Sequence, residues 1–239
     1  MISERVIPQY METMKTFEPR VWKGPRFAAR NIARTTWVPS CDLDGVNFGH
    51  LVSHSAKPLF DDRELDAVVD ECEERASTTG WSTSRHLNYP TTDVSLADLP
   101  RTLDWFRNDA LPSVVYPFLT DSYGFVLPDP RHLRVVDAFV VKYNATNGQT
   151  RLEPHRDGSI VSFNIALNDL RDYEGGGTWF EGIQTAIRSP KGHVLAHASG
   201  LLHGGHPITS GVRYILVAFV ILRSYPNFAT RFYDHVRDR

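Results

Sequence analysis

At residue 133 the hydrophobic pattern changes period, and this change restricts the fold more than any other feature of the chain. Before it the pattern is helical. Residues 61–76, "DDRELDAVVDECEERA", place Leu65, Val68, Val69, Cys72 and Ala76 on one stripe, and Asp61 or Asp62 can cap the first turn. A second helix is expected over 102–120, with Leu103, Phe106, Leu111, Val114, Val115 and Phe118 inward. Pro112 and Pro117 should break or kink it. After residue 132 the runs are β-rich and separated by turn residues: 133–144, 160–168, 177–182, 192–198 and 212–222. Helices first and strands second describe an α+β chain with helices packed on a sheet or sandwich. Short strands with closely spaced turns suggest a double-sheet jelly roll.

The 239 residues suffice for one large domain or two small ones, and we read 1–239 as a single domain. Residues 133–222 form its β core. Residues 1–56 form an N-terminal extension with one or two strands and no assigned role. The most apolar run, "YILVAFVIL" (214–222), is too short to span a bilayer and reads as a buried strand. A formal net charge of -2 argues against nucleic-acid or membrane partners held by bulk charge. "MISERVIPQY" has no apolar leader core, so a cytoplasmic protein is expected. Cys41 and Cys72 cannot build a disulfide framework, and two free thiols are expected rather than one bridge. The oligomeric state is not legible.

The chemistry falls in the β half. In "RLEPHRDGS" (151–159), His155 and Asp157 stand two apart, so in extended backbone they aim at one point. An H-x-D triplet also arises by chance as a solvated pair. Downstream, "GLLHGGHPITSGVRYILVAF" (200–219) supplies His203 and Arg213. Two histidines and a carboxylate without a cysteine are the facial triad of non-haem Fe(II) oxygenases, although zinc takes the same ligands. His193, His197 and His206 compete with His203 for the third place, His206 most of all. Arg213 lies on a strand apolar on both faces, where its guanidinium needs an anion. The distal carboxylate of a co-substrate such as 2-oxoglutarate would serve. A buried acid would serve too, and Glu174 is a candidate. Asn164 interrupts an apolar run and shares a strand face with Ser162.

"LEPHRDGSIVSFNIALND", "DYEGGGTWF", "SPKGHVLAH" and "LLHGGHPITSGVRYILVAFV" follow one another in order. Together they resemble the catalytic domain of the procollagen lysyl hydroxylases and, more distantly, the prolyl 4-hydroxylases, within the Fe(II)/2-oxoglutarate dioxygenases. The resemblance covers about residues 57–222. It implies a double-stranded β-helix (jelly-roll) core with flanking helices. It also implies His155, Asp157 and His203 as iron ligands, and Arg213 on the distal carboxylate of 2-oxoglutarate, where prolyl hydroxylases usually carry lysine. Asn164 and Tyr143 match positions lining the co-substrate pocket. The family's cysteine after the glycine run is Thr178 here, and the glycosyltransferase modules of animal lysyl hydroxylases are absent.

The expected activity is hydroxylation of an aliphatic C–H with Fe(II), 2-oxoglutarate and O2, and with ascorbate as reductant. A lysyl or prolyl side chain in a peptide or protein is the first substrate expected. A free amino acid or other small molecule is the alternative. A non-catalytic 2-oxoglutarate or metal-binding module is the alternative of another class. Substrate choice is expected from "RHLNYPTTD" (85–93), either a lid or an ordinary surface connection, and from the surroundings of Trp179, which has a packing role as its alternative. Gly175–Gly177 are expected to make a turn or bulge, because no helix follows them.

Overall fold

The computed structural model describes residues 51–86, 88–123 and 129–222, together with the backbone pairing of two short strands before them. Those strands are β1 (Asp42–Leu43) and β2 (Val46–Asn47). Then follow β3 (Val52–His54), α1 (Asp62–Thr79), β4 (Asp93–Ser95), α2 (Pro100–Trp105), a π-helical segment (Phe106–Val115) and α3 (Tyr116–Tyr123). The sheet strands are β5 (Leu133–Asn144), β6 (Leu152–His155), β7 (Val161–Ala166), β8 (Tyr173–Gly175) and β9 (Thr178–Phe180). They continue with β10 (Thr185–Ile187), β11 (Val194–Ala198), β12 (His203–Gly205) and β13 (Ile208–Leu222). The rest of the N-terminal extension, Cys41 included, lies outside the described residues.

α1 begins where the sequence marks it. The Asp61 carboxylate accepts from the Glu64 N–H at 3.0 Å, and the Glu64 carboxylate accepts from the Asp61 N–H at 3.0 Å. Gly80 ends the helix at φ 76°, a left-handed position open to glycine. The prolines expected to interrupt the second helix do not end it. Pro112 sits inside the π-helical segment, where a wider turn absorbs the missing donor and moves the carbonyl its ring would strike. Pro117 falls in the first turn of α3. Among the described residues no helix is long and apolar enough to cross a membrane.

Beside the β1–β2 pair, the described strands form two antiparallel sheets. The larger runs β3-β11-β7-β13-β5-β4, with β8 paired to the start of β13; the smaller runs β10-β9-β12-β6. This is the expected jelly-roll core, helices on one side. Alternation along β13 explains why its run is apolar on both faces. Leu216, Ala218 and Val220 join Leu65, Val68, Phe106 and Leu119 in the core between helices and sheet. Ile215 joins Phe139, Val141, Tyr143 and Tyr173 in a second core on the opposite face, with Val217 and Phe219 packed against it. The helices are also tied on by charge: Glu73 of α1 meets Lys142 Nζ at 2.7 Å and accepts from the Tyr214 hydroxyl at 2.5 Å. Cys72 is a buried free thiol on the inner stripe of α1, and burial pushes its pKa up to about 12.

Candidate functional site

The site forms where the small sheet closes over the inner face of the large one. β6 and β12 pair antiparallel with His155 directly opposite His203, which brings the two rings to 4.5 Å between centroids. Asp157 lies two residues beyond the end of β6, and its N–H donates to the Ser199 carbonyl at 2.9 Å. The ligand atoms of His155, Asp157 and His203 all fall within 4.8 Å of one another. Thus the two-residue spacing converges on one point even though the strand stops at His155.

Each histidine is held by its far nitrogen. His155 Nδ1 is 2.8 Å from the Glu153 carbonyl and His203 Nδ1 is 3.0 Å from the Leu201 carbonyl. A carbonyl only accepts, so Nδ1 carries the hydrogen and Nε2 keeps its lone pair. The Nε2 atoms face the Asp157 carboxylate, at 3.3 Å for His155 and 3.5 Å for His203. Burial opposes ionisation of Asp157, but His203, His155 and His197 outweigh it and hold the carboxyl well below the usual range. Burial, then repulsion from His197, pushes His203 down to about 3. For His155 burial acts downward, while the hydrogen bond and charge of Asp157 prevail and raise it. Two neutral-capable imidazoles and one carboxylate, with no thiolate, suit a divalent ion of the Fe(II) class.

Arg213 stands on the same inner face, 3% exposed, opposite Tyr143 across the β13–β5 ladder. Its Nη1 donates to the Gly177 carbonyl at 3.2 Å, and its guanidinium carbon lies 5.3 Å from the centre of the Tyr143 ring. Among the described residues no carboxylate lies within 4.0 Å of the guanidinium, and Glu174, the acid suggested as its partner, is exposed. Asn164, on β7 opposite Val217 of β13, donates to Thr178 Oγ1 of the small sheet at 3.4 Å, while its buried Oδ1 has no partner among the described residues. A buried cation without an anion and a buried carbonyl oxygen without a donor on one wall fit a polar, anionic guest.

Over 174 residues the chain is 35% identical to procollagen-lysine,2-oxoglutarate 5-dioxygenase 1 of Gallus gallus, a match covering 68% of this chain and 23% of that protein. It is 36% identical over 177 residues to the multifunctional procollagen lysine hydroxylase and glycosyltransferase LH3 of Homo sapiens, with the same coverage of 68% and 23%. The chain belongs to the 2-oxoglutarate-dependent dioxygenases. No family model matches it. It spans less than a quarter of the length of these relatives. The viral collagen prolyl hydroxylase vCPH of Paramecium bursaria Chlorella virus-1, solved with 2OG, shares the fold at a TM-score of 0.53 and 16% identity, over 72% of this chain and 96% of that one.

The rival histidines of the dioxygenase separate in space. His206 is exposed, and its backbone N–H donates to the Gly177 carbonyl. His193 lies at the far edge, stacked on His54 at 5.1 Å. His197 comes near, with its ring 4.1 Å from that of His203, but it is not among the three converging ligands. The glycine run is the short connection from β8 to β9, with positive φ at all three positions. A side chain on Gly176 would meet Tyr173 at 3.0 Å and Arg213 at 3.3 Å, so this glycine leaves room for the guanidinium.

Of the two readings for Trp179, its place on the strand agrees with the packing one. Thr178 and Phe180 face inward to Asn164 and His203, so Trp179, between them on β9, belongs to the outer face of the small sheet, away from the triad. The 85–93 segment does reach the site. The Tyr89 ring is 41% exposed with its centre 4.9 Å from that of His155. Arg85 anchors the segment, at 2.6 Å from Asp93 and 3.3 Å from Asp137, over the Phe139 ring. Sequence reasoning missed Phe180, which packs on His203 and His197, and the serines behind Asp157. Alternation from Asn164 already placed Ser162 on the inner face and was the available signal.

Proposed function

We propose that this dioxygenase hydroxylates an aliphatic C–H of a lysyl or prolyl side chain in a peptide or protein, using Fe(II), 2-oxoglutarate and O2, with ascorbate as reductant. The observation that carries the reading is the convergence of His155, Asp157 and His203 with an ion-pair-free buried Arg213 on the same inner wall. In this reading those three residues hold the metal. When bound, Fe(II) supplies the activation of O2 that couples decarboxylation of 2-oxoglutarate to hydroxylation. Arg213 receives the distal carboxylate of 2-oxoglutarate through a charge-assisted contact. Asn164 and Tyr143 line the space between. Phe139, Val217 and Phe219 give that space an apolar wall that keeps water from the reacting groups. A peptide substrate is favoured over a small molecule because the relatives are named for procollagen lysine and because Tyr89 stands exposed at the mouth.

The test is succinate formation by the Fe(II)-loaded protein with 2-oxoglutarate and ascorbate, measured with lysyl peptides, prolyl peptides, free amino acids and no addition. Peptide-stimulated succinate, with one oxygen atom added to the peptide mass, is expected. Stimulation by a free amino acid alone would transfer the reading to the small-molecule alternative. Succinate no greater than that of Asp157→Ala under every condition would overturn the activity. Zn(II) in place of Fe(II) should occupy the triad and inhibit.

A further inference from the structure

The Asp157 carboxylate is not left to the histidines alone. Its Oδ2 accepts from the Ser162 hydroxyl at 2.5 Å. Ser162 Oγ lies 2.9 Å from Ser199 Oγ, and Ser199 Oγ lies 2.6 Å from Ser159 Oγ. All three serines are buried. An ionised carboxylate only accepts, so Ser162 gives its single hydrogen to Asp157. With that hydrogen committed, Ser162 accepts from its neighbours: Ser199 can donate to it at 2.9 Å, and Ser159, 3.2 Å from Ser162, backs both. Ser159 also lies 3.3 Å from the Val161 carbonyl.

The chain of hydroxyls joins three parts of the fold. Ser162 is on β7, in the middle of the large sheet, paired with His197 on one side and Phe219 on the other. Ser199 follows β11, and its carbonyl receives the Asp157 N–H. Asp157 itself lies on the connection from the small sheet to the large one. Oδ2 also faces His203 Nε2 at 3.5 Å, and Oδ1 faces His155 Nε2 at 3.3 Å; without Ser162, Oδ2 would lose its hydroxyl donor and the carboxylate would be free to turn.

We propose that Ser162, backed by Ser199 and Ser159, is a positioning residue that fixes which oxygen of Asp157 is presented to the metal. Ser162 Oγ holds Oδ2, and Oδ1 is the oxygen presented. The inference rests on the proposed metal role of His155, Asp157 and His203. Outer partners of this kind typically change metal affinity by about 10- to 100-fold.

Anaerobic titration of the full chain with Co(II), followed by its visible d–d absorption, tests this without turnover. Ser162→Ala should weaken Co(II) binding by about 10- to 100-fold and shift the band. Ser162→Thr, which keeps the hydroxyl, should recover most of both. The thermal midpoint of the metal-free protein, compared between Ser162→Ala and Ser162→Thr, checks that the fold survives. An unchanged affinity and band in Ser162→Ala would overturn the inference while leaving the metal site standing. Absence of Co(II) binding by the unaltered chain would overturn the metal site itself, and this inference with it. If Ser162→Ala does not fold, Ser199→Ala decides: it keeps the backbone contact to Asp157, so a several-fold loss supports the relay and an unchanged affinity refutes it.

Discussion

At the level of single residues, Arg213 is the cleanest separation of two binding events. It is buried on the inner face of β13 with a carbonyl and an aromatic ring for company and no carboxylate among the described residues within ion-pair reach. A charge-assisted contact is typically worth ~1.5–3 kcal/mol, or roughly ten- to a hundred-fold in affinity. Arg213→Ala is therefore expected to weaken 2-oxoglutarate binding by that factor and to leave Co(II) affinity close to that of the unaltered chain. Arg213→Lys should regain part of the loss, because the charge survives and the planar fork does not. Calorimetric titration of each ligand reads the two affinities apart, and normal 2-oxoglutarate affinity in Arg213→Ala would make the arginine structural. The residues that carry this chemistry were legible in the sequence because they offend local expectation: an arginine and an asparagine inside apolar strands, and a histidine beside a carboxylate at a strand end. Ser162 was legible only as a polar neighbour of Asn164 on the same strand face, without its link to Asp157, and Phe180 was not legible, since a phenylalanine in a strand offends nothing.

At the level of elements, the 85–93 segment and the start of α2 each make a prediction. Tyr89 packs by its ring on His155 while Arg85 pins the segment to Asp93 and Asp137. If the segment presents the substrate, Tyr89→Ala should lower peptide-driven succinate formation and spare the slow decay of 2-oxoglutarate without peptide. Equal losses in both assays would assign the segment to the fold. Glu71 of α1 is buried and accepts from the Arg101 N–H at 3.0 Å, the Thr102 N–H at 2.7 Å and the Thr102 hydroxyl at 2.6 Å, so one helix caps the next. Burial alone would raise its pKa, but these bonds and the Arg101 charge bring it below the usual value. A depressed carboxylate stabilises the fold fully above its unfolded pKa, about 4.3 for glutamate, and that stability is lost as pH falls through the folded value. Urea midpoints measured from pH 7 downward should therefore fall more steeply below about pH 4.3 in the unaltered chain than in Glu71→Gln. At pH 7 the substitution should cost about 1–3 kcal/mol. The long strands and α1 were readable because their periods are strong. β6 and β12 were not, because "LEPH" contains a proline and two ionisable side chains and "HGG" contains two glycines. Their strand state comes from cross-strand pairing that no local window contains.

At the level of the whole molecule, the triad sits on the seam between two sheets, so a metal bound there should act as a clasp. His155 and His203 belong to the small sheet, and Asp157 is tied through Ser162 to the large one. A ligand that binds only the folded state adds about 2.7 kcal/mol when its free concentration is a hundred times its Kd. For a domain of this size, each kcal/mol moves the midpoint by roughly 2–4 °C. Co(II) or Mn(II) should accordingly raise Tm by roughly 5–10 °C in the unaltered chain, and by nothing measurable in His155→Ala. A shift that persists in His155→Ala would place the metal elsewhere. The α+β class and the jelly roll were legible from the change of period at residue 133, whereas the wrapping of the small sheet was not, because its strands are three or four residues long. One further consequence lies in β13. Its even-numbered positions 216, 218 and 220 face the helices, and its odd-numbered positions 213, 215, 217 and 219 face the chemistry. Selection for a new substrate can therefore work on the half-buried positions of the second set, 217 and 219, while selection for persistence of the fold works on the first set and on the buried Ile215. A combinatorial library confined to 217 and 219 would explore new specificities with both cores kept.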